Sequence, residues 1–160
     1  MTQNELEQYL EKYRRNVFAM ALFYLKNPYD ADDVVQDVFL RLYTYTGEFD
    51  SEEHIKAWLI RCAVNRCKDI LLSPWHRLSM PLEAASEKVH IDRAEGETEI
   101  FRLLKKLKRN NRVTMYLYYY EGYSTEEIAK MLGISVVAVT SRLKRGRQQL
   151  KKLMNNTQED

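Results

Sequence analysis

Ser124-Thr125-Glu126-Glu127-Ile128-Ala129-Lys130-Met131-Leu132-Gly133-Ile134-Ser135-Val136-Val137-Ala138-Val139-Thr140-Ser141-Arg142-Leu143-Lys144-Arg145-Gly146-Arg147-Gln148-Gln149-Leu150 reads as two helices joined by a sharp turn. Ser124 followed three residues later by Glu127 is the reciprocal pattern of a capping box, so the first helix starts there. Ile128, Met131 and Leu132 give that helix one apolar face. Gly133 suits the left-handed residue that ends a helix, and Ser135 is placed to cap the next one. At 100° per residue Val136, Val139, Leu143 and Leu150 form a narrow inner stripe, with Gly146 inside it where close approach is tolerated. The opposite side carries Val137, Ala138, Ser141, Lys144, Arg145 and Gln148, flanked by Thr140, Arg142 and Arg147.

A cationic helix face is by itself usually just solvated. From Ser141 to Lys152, however, there are six Lys or Arg and no acid. Small and hydroxylic residues in the first turns with cations behind them suit a major groove, base edges at the front and phosphates at the back. The capped helix, the glycine turn and the sided second helix together read as a DNA-binding helix-turn-helix. Its candidate DNA contacts are Ser135, Val137, Ala138, Thr140, Ser141, Arg142, Lys144 and Arg145.

Charge divides the chain in two. Residues 1 to 95 hold 12 Lys and Arg against 16 Asp and Glu, whereas residues 96 to 160 hold 13 against 7, so the net +2 hides an acidic half and a basic half. Such asymmetry suits one part that faces nucleic acid and another that faces protein. Five Gly, three Pro and apolar residues at helical rather than alternating spacing predict an all-α protein of two small helical domains. Domains are expected at 1 to 72 and 96 to 154, with a linker at 73 to 95 marked by Ser73-Pro74-Trp75-His76 and Met80-Pro81, and a disordered tail at 155 to 160.

The first helix is expected from about Glu5 to Leu25, carried by Leu6, Tyr9, Leu10, Tyr13, Val17, Met20, Ala21 and Tyr24. Asn27-Pro28 ends it, and Asp30 is expected to cap a second helix with Val34, Val35, Val38, Phe39 and Leu42 inward. Asp32 and Asp33 need no function at a helix N-terminus, where the dipole favours acids by about 0.3–1 kcal/mol. Leu40 on the outer side, beside Asp33, Gln36 and Asp37, is different: it has the look of a partner-binding anchor ringed by charge. Asp50 and Glu53 suggest a capping box opening a third helix to about Leu72, with Ile55, Trp58, Leu59, Cys62, Ala63 and Ile70 inward. Arg61, Asn65 and Lys68 then line one outer ridge beside an aromatic-bearing loop, an arrangement that suits single-stranded nucleic acid.

In the second domain Ile100, Phe101, Leu104 and Leu107 are expected inward, Asn110 or Asn111 is expected to cap the next helix, and Gly122 to close it. Tyr116, Tyr118, Tyr119, Tyr120 and Tyr123 read as packing residues with hydroxyls toward solvent rather than as a stacking platform. Cys62, Cys67 and the scattered His54, His76 and His90 form no metal-ligand spacing, and both cysteines read as reduced, buried thiols. The apolar run Val17 to Leu25 is too short to span a bilayer and the N-terminus lacks a secretory core, so a cytoplasmic protein is expected. No nucleophile with its base and no phosphate loop is visible, which argues against an enzyme and for no cofactor.

With these residues in hand the chain resembles a bacterial RNA polymerase sigma factor of the extracytoplasmic-function (ECF) group of the sigma-70 family. Asp30-Ala31-Asp32-Asp33-Val34-Val35-Gln36-Asp37-Val38-Phe39-Leu40-Arg41-Leu42 resembles the region 2 helix that docks on core polymerase, which implies Asp32, Asp33, Gln36, Asp37 and Leu40 as contacts. Ala57-Trp58-Leu59-Ile60-Arg61-Cys62-Ala63-Val64-Asn65-Arg66, followed by Asp69, resembles the helix that engages the promoter −10 element. That implies Phe49, Ser51, Trp58, Arg61, Asn65 and Lys68 as −10 contacts, with an unstacked base received between the 45 to 51 loop and the ridge. The helix-turn-helix is similar to region 4, which reads the −35 duplex. The resemblance also implies an anti-sigma factor as partner and a linker that threads along the enzyme. Relatives usually carry Pro where Lys108 stands, Gly-Thr at Val137-Ala138, and often Lys at Thr140, so the −35 preference is this chain's own. A helix-turn-helix repressor is the competing reading, but it gives no role to the face around Asp33 and Leu40.

Overall fold

The computed structural model describes residues 1–74 and 99–159, and all its described regular elements are helices. By its internal contacts the chain divides into two units, Met1–Arg93 and Ala94–Asp160. The expected linker, 73 to 95, lies outside the described residues apart from Ser73 and Pro74.

The first unit is three helices, α1 (Gln3–Leu25), α2 (Pro28–Thr44) and α3 (Glu52–Leu72), each packed against the other two. α1 starts two residues before the expected Glu5 because Thr2 makes a capping box: its hydroxyl accepts from the Glu5 amide at 3.2 Å, and the Glu5 carboxylate accepts from the Thr2 amide at 3.0 Å. The cap of α2 is Asn27 rather than Asp30. The Asn27 Oδ1 accepts from the amides of Tyr29 and Asp30 at 3.0 and 3.2 Å, and Pro28 takes the first helical position, where a missing N–H costs nothing. Asp30 falls inside the first turn.

α3 is capped by Ser51, whose hydroxyl accepts from the His54 amide at 3.1 Å. The expected Asp50–Glu53 box does not form. His54 stands where a capping-box Glu would, and its Nδ1 accepts from the Asp50 amide at 3.1 Å. The buried stripe of α3 is Ile55, Leu59, Ile60, Ala63, Val64 and Cys67, wider than expected because the helix meets α1 on one side and α2 on the other. Trp58, Cys62 and Ile70 are only half-buried. Cys67 is the buried thiol; Cys62 lies at the edge, where partial burial pushes its thiol above the usual range.

The second unit is α4 (Glu99–Leu104), α5 (Arg109–Tyr119), α6 (Thr125–Leu132) and α7 (Val136–Glu159). Its core is Leu104, Leu107, Val113, Met115, Leu117, Ile128, Leu132, Val139 and Leu143. Ile100, expected inward, is exposed. α5 begins at Arg109 with no side-chain cap; Asn111 is instead buried, its Nδ2 donating to Gln149 Oε1 on α7 at 3.1 Å. α7 runs on to Glu159, past the boundary expected at 154. No helix among the described residues is long and apolar enough to cross a membrane.

Candidate docking and nucleic-acid surfaces

The caps of α2 fix which way its faces point. Val34, Val35, Val38, Phe39 and Leu42 all go into the core, as their spacing requires. Asp32, Asp33, Gln36, Asp37 and Leu40 are left on the outside, and Leu40 is 63% exposed. An apolar side chain of this size in water between carboxylates contributes nothing to the unit's own stability. Asp37 differs from its neighbours: its Oδ2 accepts from Arg66 Nε on α3 at 2.5 Å, so its charge is already engaged within the unit. Arg66 was not among the residues the sequence singled out. An ion pair 29 residues apart leaves no local signal to find it by.

The loop between α2 and α3 closes over an aromatic cluster. The Tyr45 ring lies 5.0 Å from both Phe49 and Trp58, the Phe49 and Trp58 rings are 5.6 Å apart, and His54 meets the Phe49 ring at 5.2 Å. Gly47 makes this possible, because a Cβ there would collide with the Tyr45 ring and hydroxyl. Tyr45 and Gly47 lie in the 45 to 51 loop where the pocket is expected, and His54, which was not among the expected contacts, joins the cluster. Ser51 is held as the α3 cap. Along α3, Arg61 and Asn65 are exposed and Lys68 is half-buried, so the expected ridge exists with its first two members fully presented to solvent.

In the second unit the helix-turn-helix forms from its local signals. Ser124 Oγ accepts from the Glu127 amide at 3.1 Å, and the Glu127 carboxylate accepts from the Ser124 amide at 3.0 Å. Gly133 ends α6 in the left-handed region with φ 69°. Ser135 Oγ then accepts from the Ala138 amide at 3.1 Å, opening α7. Ser135, Val137, Thr140, Lys144 and Arg145 are exposed, Val137 at 75%, while Ala138, Ser141 and Arg142 are half-buried. The Thr140 hydroxyl donates back to the Val136 carbonyl at 2.9 Å. Val136, expected on the inner stripe, is exposed, and burial along that stripe begins at Val139.

Two basic or aromatic groups are set differently from expectation. Arg147 does not flank the DNA-facing side; its Nε donates to the Tyr119 hydroxyl at 2.7 Å, and its guanidinium lies 6.0 and 5.8 Å from the Tyr118 and Tyr119 ring centres. The Tyr116 hydroxyl is not turned to solvent; it donates to Glu121 at 2.8 Å, and burial, reinforced by that carboxylate, holds it protonated far above the usual tyrosine range. Lys144 and Arg145 stay exposed in the middle of α7, and Lys151 and Lys152 are exposed further along it.

Two family models match the chain, Sigma-70 region 2 over residues 9–76 and Sigma-70, region 4 over residues 97–150. The chain is 31% identical over 151 residues to the ECF RNA polymerase sigma factor SigM of Mycobacterium tuberculosis, covering 92% of this chain and 76% of that protein. It is 31% identical over 143 residues to the RNA polymerase sigma factor CnrH of Cupriavidus metallidurans, covering 79% and 74%. Among solved structures, CnrH in complex with the cytosolic domain of CnrY is similar at a TM-score of 0.65 with 27% identity, covering 97% of this chain and 90% of that one. The Bartonella quintana sigma factor RpoE in complex with the anti-sigma factor NepR shares the fold at a TM-score of 0.70 with 22% identity, over 94% and 97%.

Proposed function

The chain belongs to the ECF group of the sigma-70 family and carries that family's region 2 and region 4, and from this we propose how its surfaces divide the work of directing RNA polymerase to promoters. Region 2 docks on core polymerase through the outer face of α2, with Leu40 as the apolar anchor and Asp32, Asp33 and Gln36 as its charged and polar surround. Asp37, held by Arg66, keeps α2 and α3 in register. The region 2 and linker limits are taken as 1 to 72 and 73 to 95, and region 4 as 96 to 154.

The aromatic loop and the α3 ridge take the −10 element. Opening duplex there removes a base from the stack, which costs a few kcal/mol and must be offset by a pocket that receives it. Phe49 and Trp58 supply ring faces, Ser51 fixes the start of α3, and Arg61, Asn65 and Lys68 supply donors to the displaced strand. Asn65→Ala is expected to reduce promoter opening about tenfold while leaving duplex binding by region 4 unaltered. Permanganate footprinting of the −10 thymines reads this directly, and an unchanged footprint rules out the placement of the pocket.

Region 4 reads the −35 duplex with α7 in the major groove. Ser135, Val137, Ala138, Thr140 and Ser141 approach base edges, and Arg142, Lys144 and Arg145 meet phosphates. Arg145→Ala should weaken −35 duplex binding across sequences and lower the slope of log affinity against log salt by about one. A slope identical to that of the unsubstituted protein would mean that Arg145 touches no phosphate.

The solved relatives CnrH and RpoE were captured with CnrY and with the anti-sigma factor NepR, and a partner of the anti-sigma kind is proposed for this chain as well. The protein acts in the cytoplasm by binding, without covalent catalysis. The observation that carries the reading is Leu40, 63% exposed on a helix whose other core-sized apolar side chains of the motif are buried. A repressor that bound DNA alone would have no use for it. Size-exclusion chromatography with core RNA polymerase, followed by run-off transcription, tests the reading: co-elution and discrete transcripts support it, and DNA binding as a free symmetric dimer without co-elution replaces it.

A further inference from the structure

We infer that the front of α7 is a thymine reader: Val137 selects −35 sequences by apolar contact with thymine 5-methyl groups, and Thr140 extends the same apolar surface. The inference rests on the reading of α7 as the helix that lies in the −35 major groove. Val137 is 75% exposed, more than any other large apolar side chain among the described residues. Thr140, Ser141 and Lys144 stand three, four and seven residues further along, so with Val137 they share one helical face. Val137, Thr140 and Lys144 are all exposed there, while Val139 and Leu143 on the other side are buried and fix that face outward.

The hydroxyls of Ser135 and Thr140 are already engaged. Ser135 Oγ accepts from the Ala138 amide at 3.1 Å to cap the helix, and the Thr140 hydroxyl donates to the Val136 carbonyl at 2.9 Å. A Thr whose proton is spent inside its own helix offers a partner a methyl group and acceptor lone pairs, but no donor. From Ser135 to Ser141 there is also no Asn, Gln, Arg or Lys, so the front of the helix lacks the forked donors that read adenine or guanine. What it presents is methyl groups. The apolar feature that a base edge shows in the major groove is the thymine 5-methyl, so the two surfaces are complementary. Rigidity strengthens the match. Four of the first five residues of α7, Val136, Val137, Val139 and Thr140, are β-branched, and such side chains have few χ1 wells open to them in a helix. The apolar surface is therefore set before DNA arrives, and little rotamer freedom is lost on binding. Residues three apart on a helix lie about 5–6 Å apart at Cβ. Base pairs rise by about 3.4 Å. Val137 and Thr140 thus meet neighbouring base pairs rather than one base.

The test uses the holoenzyme formed by this protein and core RNA polymerase. Promoter fragments that it selects from a library randomised over the −35 region are remade with uracil in place of each thymine in turn, which deletes the 5-methyl and leaves the pairing edge unchanged. The selected −35 sequences are expected to contain thymine, and uracil at one or two adjacent positions is expected to weaken competition binding about fourfold, the effect of one buried methyl. Val137→Ser is expected to bind thymine and uracil fragments alike at one of those positions, and Val137→Ile to keep the difference. A thermal melt of each variant is expected to match the parent, because the Val137 side chain supports no core. Selected sequences without thymine, equal binding of thymine and uracil fragments by the unsubstituted protein, or uracil sensitivity that survives Val137→Ser at every position overturns the inference and leaves α7 as the −35-reading helix. A holoenzyme that selects no common −35 sequence overturns that reading, and the thymine assignment with it.

Discussion

A protein carrying Leu40→Asp is expected to elute separately from core RNA polymerase, with its affinity lowered about a hundredfold or more and its fold intact. The two halves of that expectation have separate physical causes. In the free protein Leu40 is 63% exposed, so replacing it takes little apolar surface out of any core and leaves melting within about 0.5 kcal/mol of the unsubstituted chain. In the complex the same position is the apolar centre of a polar face. Truncating an anchor of that kind costs about 2–4 kcal/mol, and an Asp adds the desolvation of an unpaired carboxylate. The acidic neighbours Asp32 and Asp33 add repulsion in the same direction. Titration calorimetry and a thermal melt on one preparation separate the two effects; loss of binding together with a lowered melting temperature would place Leu40 in the fold and not on a docking face.

Gly146→Leu is expected to destabilise the second unit by about 3 kcal/mol and with it to abolish −35 duplex binding near physiological temperature. A Cβ on Gly146 would lie 2.7 Å from Cγ and 2.9 Å from Sδ of Met115, whose side chain is buried on α5. Two effects compete. Replacing a glycine inside a helix by a residue with better helix propensity gains about 1 kcal/mol, whereas forcing extra atoms into a packed contact loses about 1–3 kcal/mol. For Gly146→Ala the two effects oppose each other: the propensity gain is set against a shift of the buried Met115 Cγ and Sδ, which a flexible thioether can make in part by changing rotamer. For Gly146→Leu three more carbons enter the same space and the steric loss wins. A small helical unit has a total stability on the order of 5 kcal/mol, so such a loss removes most of it. Chemical denaturation followed by the Tyr-rich near-ultraviolet signal measures the change, and a Gly146→Leu protein as stable as the parent would show that α7 does not rest on Met115 in solution.

The legible parts of the molecule were those whose causes lie within a turn or two of sequence. Ser124, Glu127, Gly133 and Ser135 each make the contact that their identity and spacing demand, because caps are satisfied by backbone amides only two or three residues away. All five residues expected on the inner face of α2 are buried, since a helix covered by neighbours along one side obeys a simple period, and Pro28 and Ala31 extend that face toward the turn. Where several local candidates competed the sequence was ambiguous: Asn27 wins the α2 cap over Asp30, and His54 takes the place a Glu53 box would have had. α3 packs against two helices, so a single stripe understated its buried face and missed Ile60 and Val64. The long-range contacts were not legible at all. Arg66 reaching Asp37 and Arg147 reaching Tyr119 depend on how helices 28 or 29 residues apart come together, and both turn an apparent surface cation into an internal strut. The expected site residues fall mostly on exposed faces of α2, α3 and α7, and what the sequence did not reveal is which charges on those faces are already taken.

Transcription reconstituted from purified core RNA polymerase, this protein and fragmented genomic DNA, with start sites mapped by sequencing the transcript 5′ ends, tests the account most directly. Discrete start sites that require the protein, share sequence at −10 and −35, and vanish with Leu40→Asp are the predicted result. Start sites indifferent to the presence of the protein, or unaffected by Leu40→Asp, would contradict it.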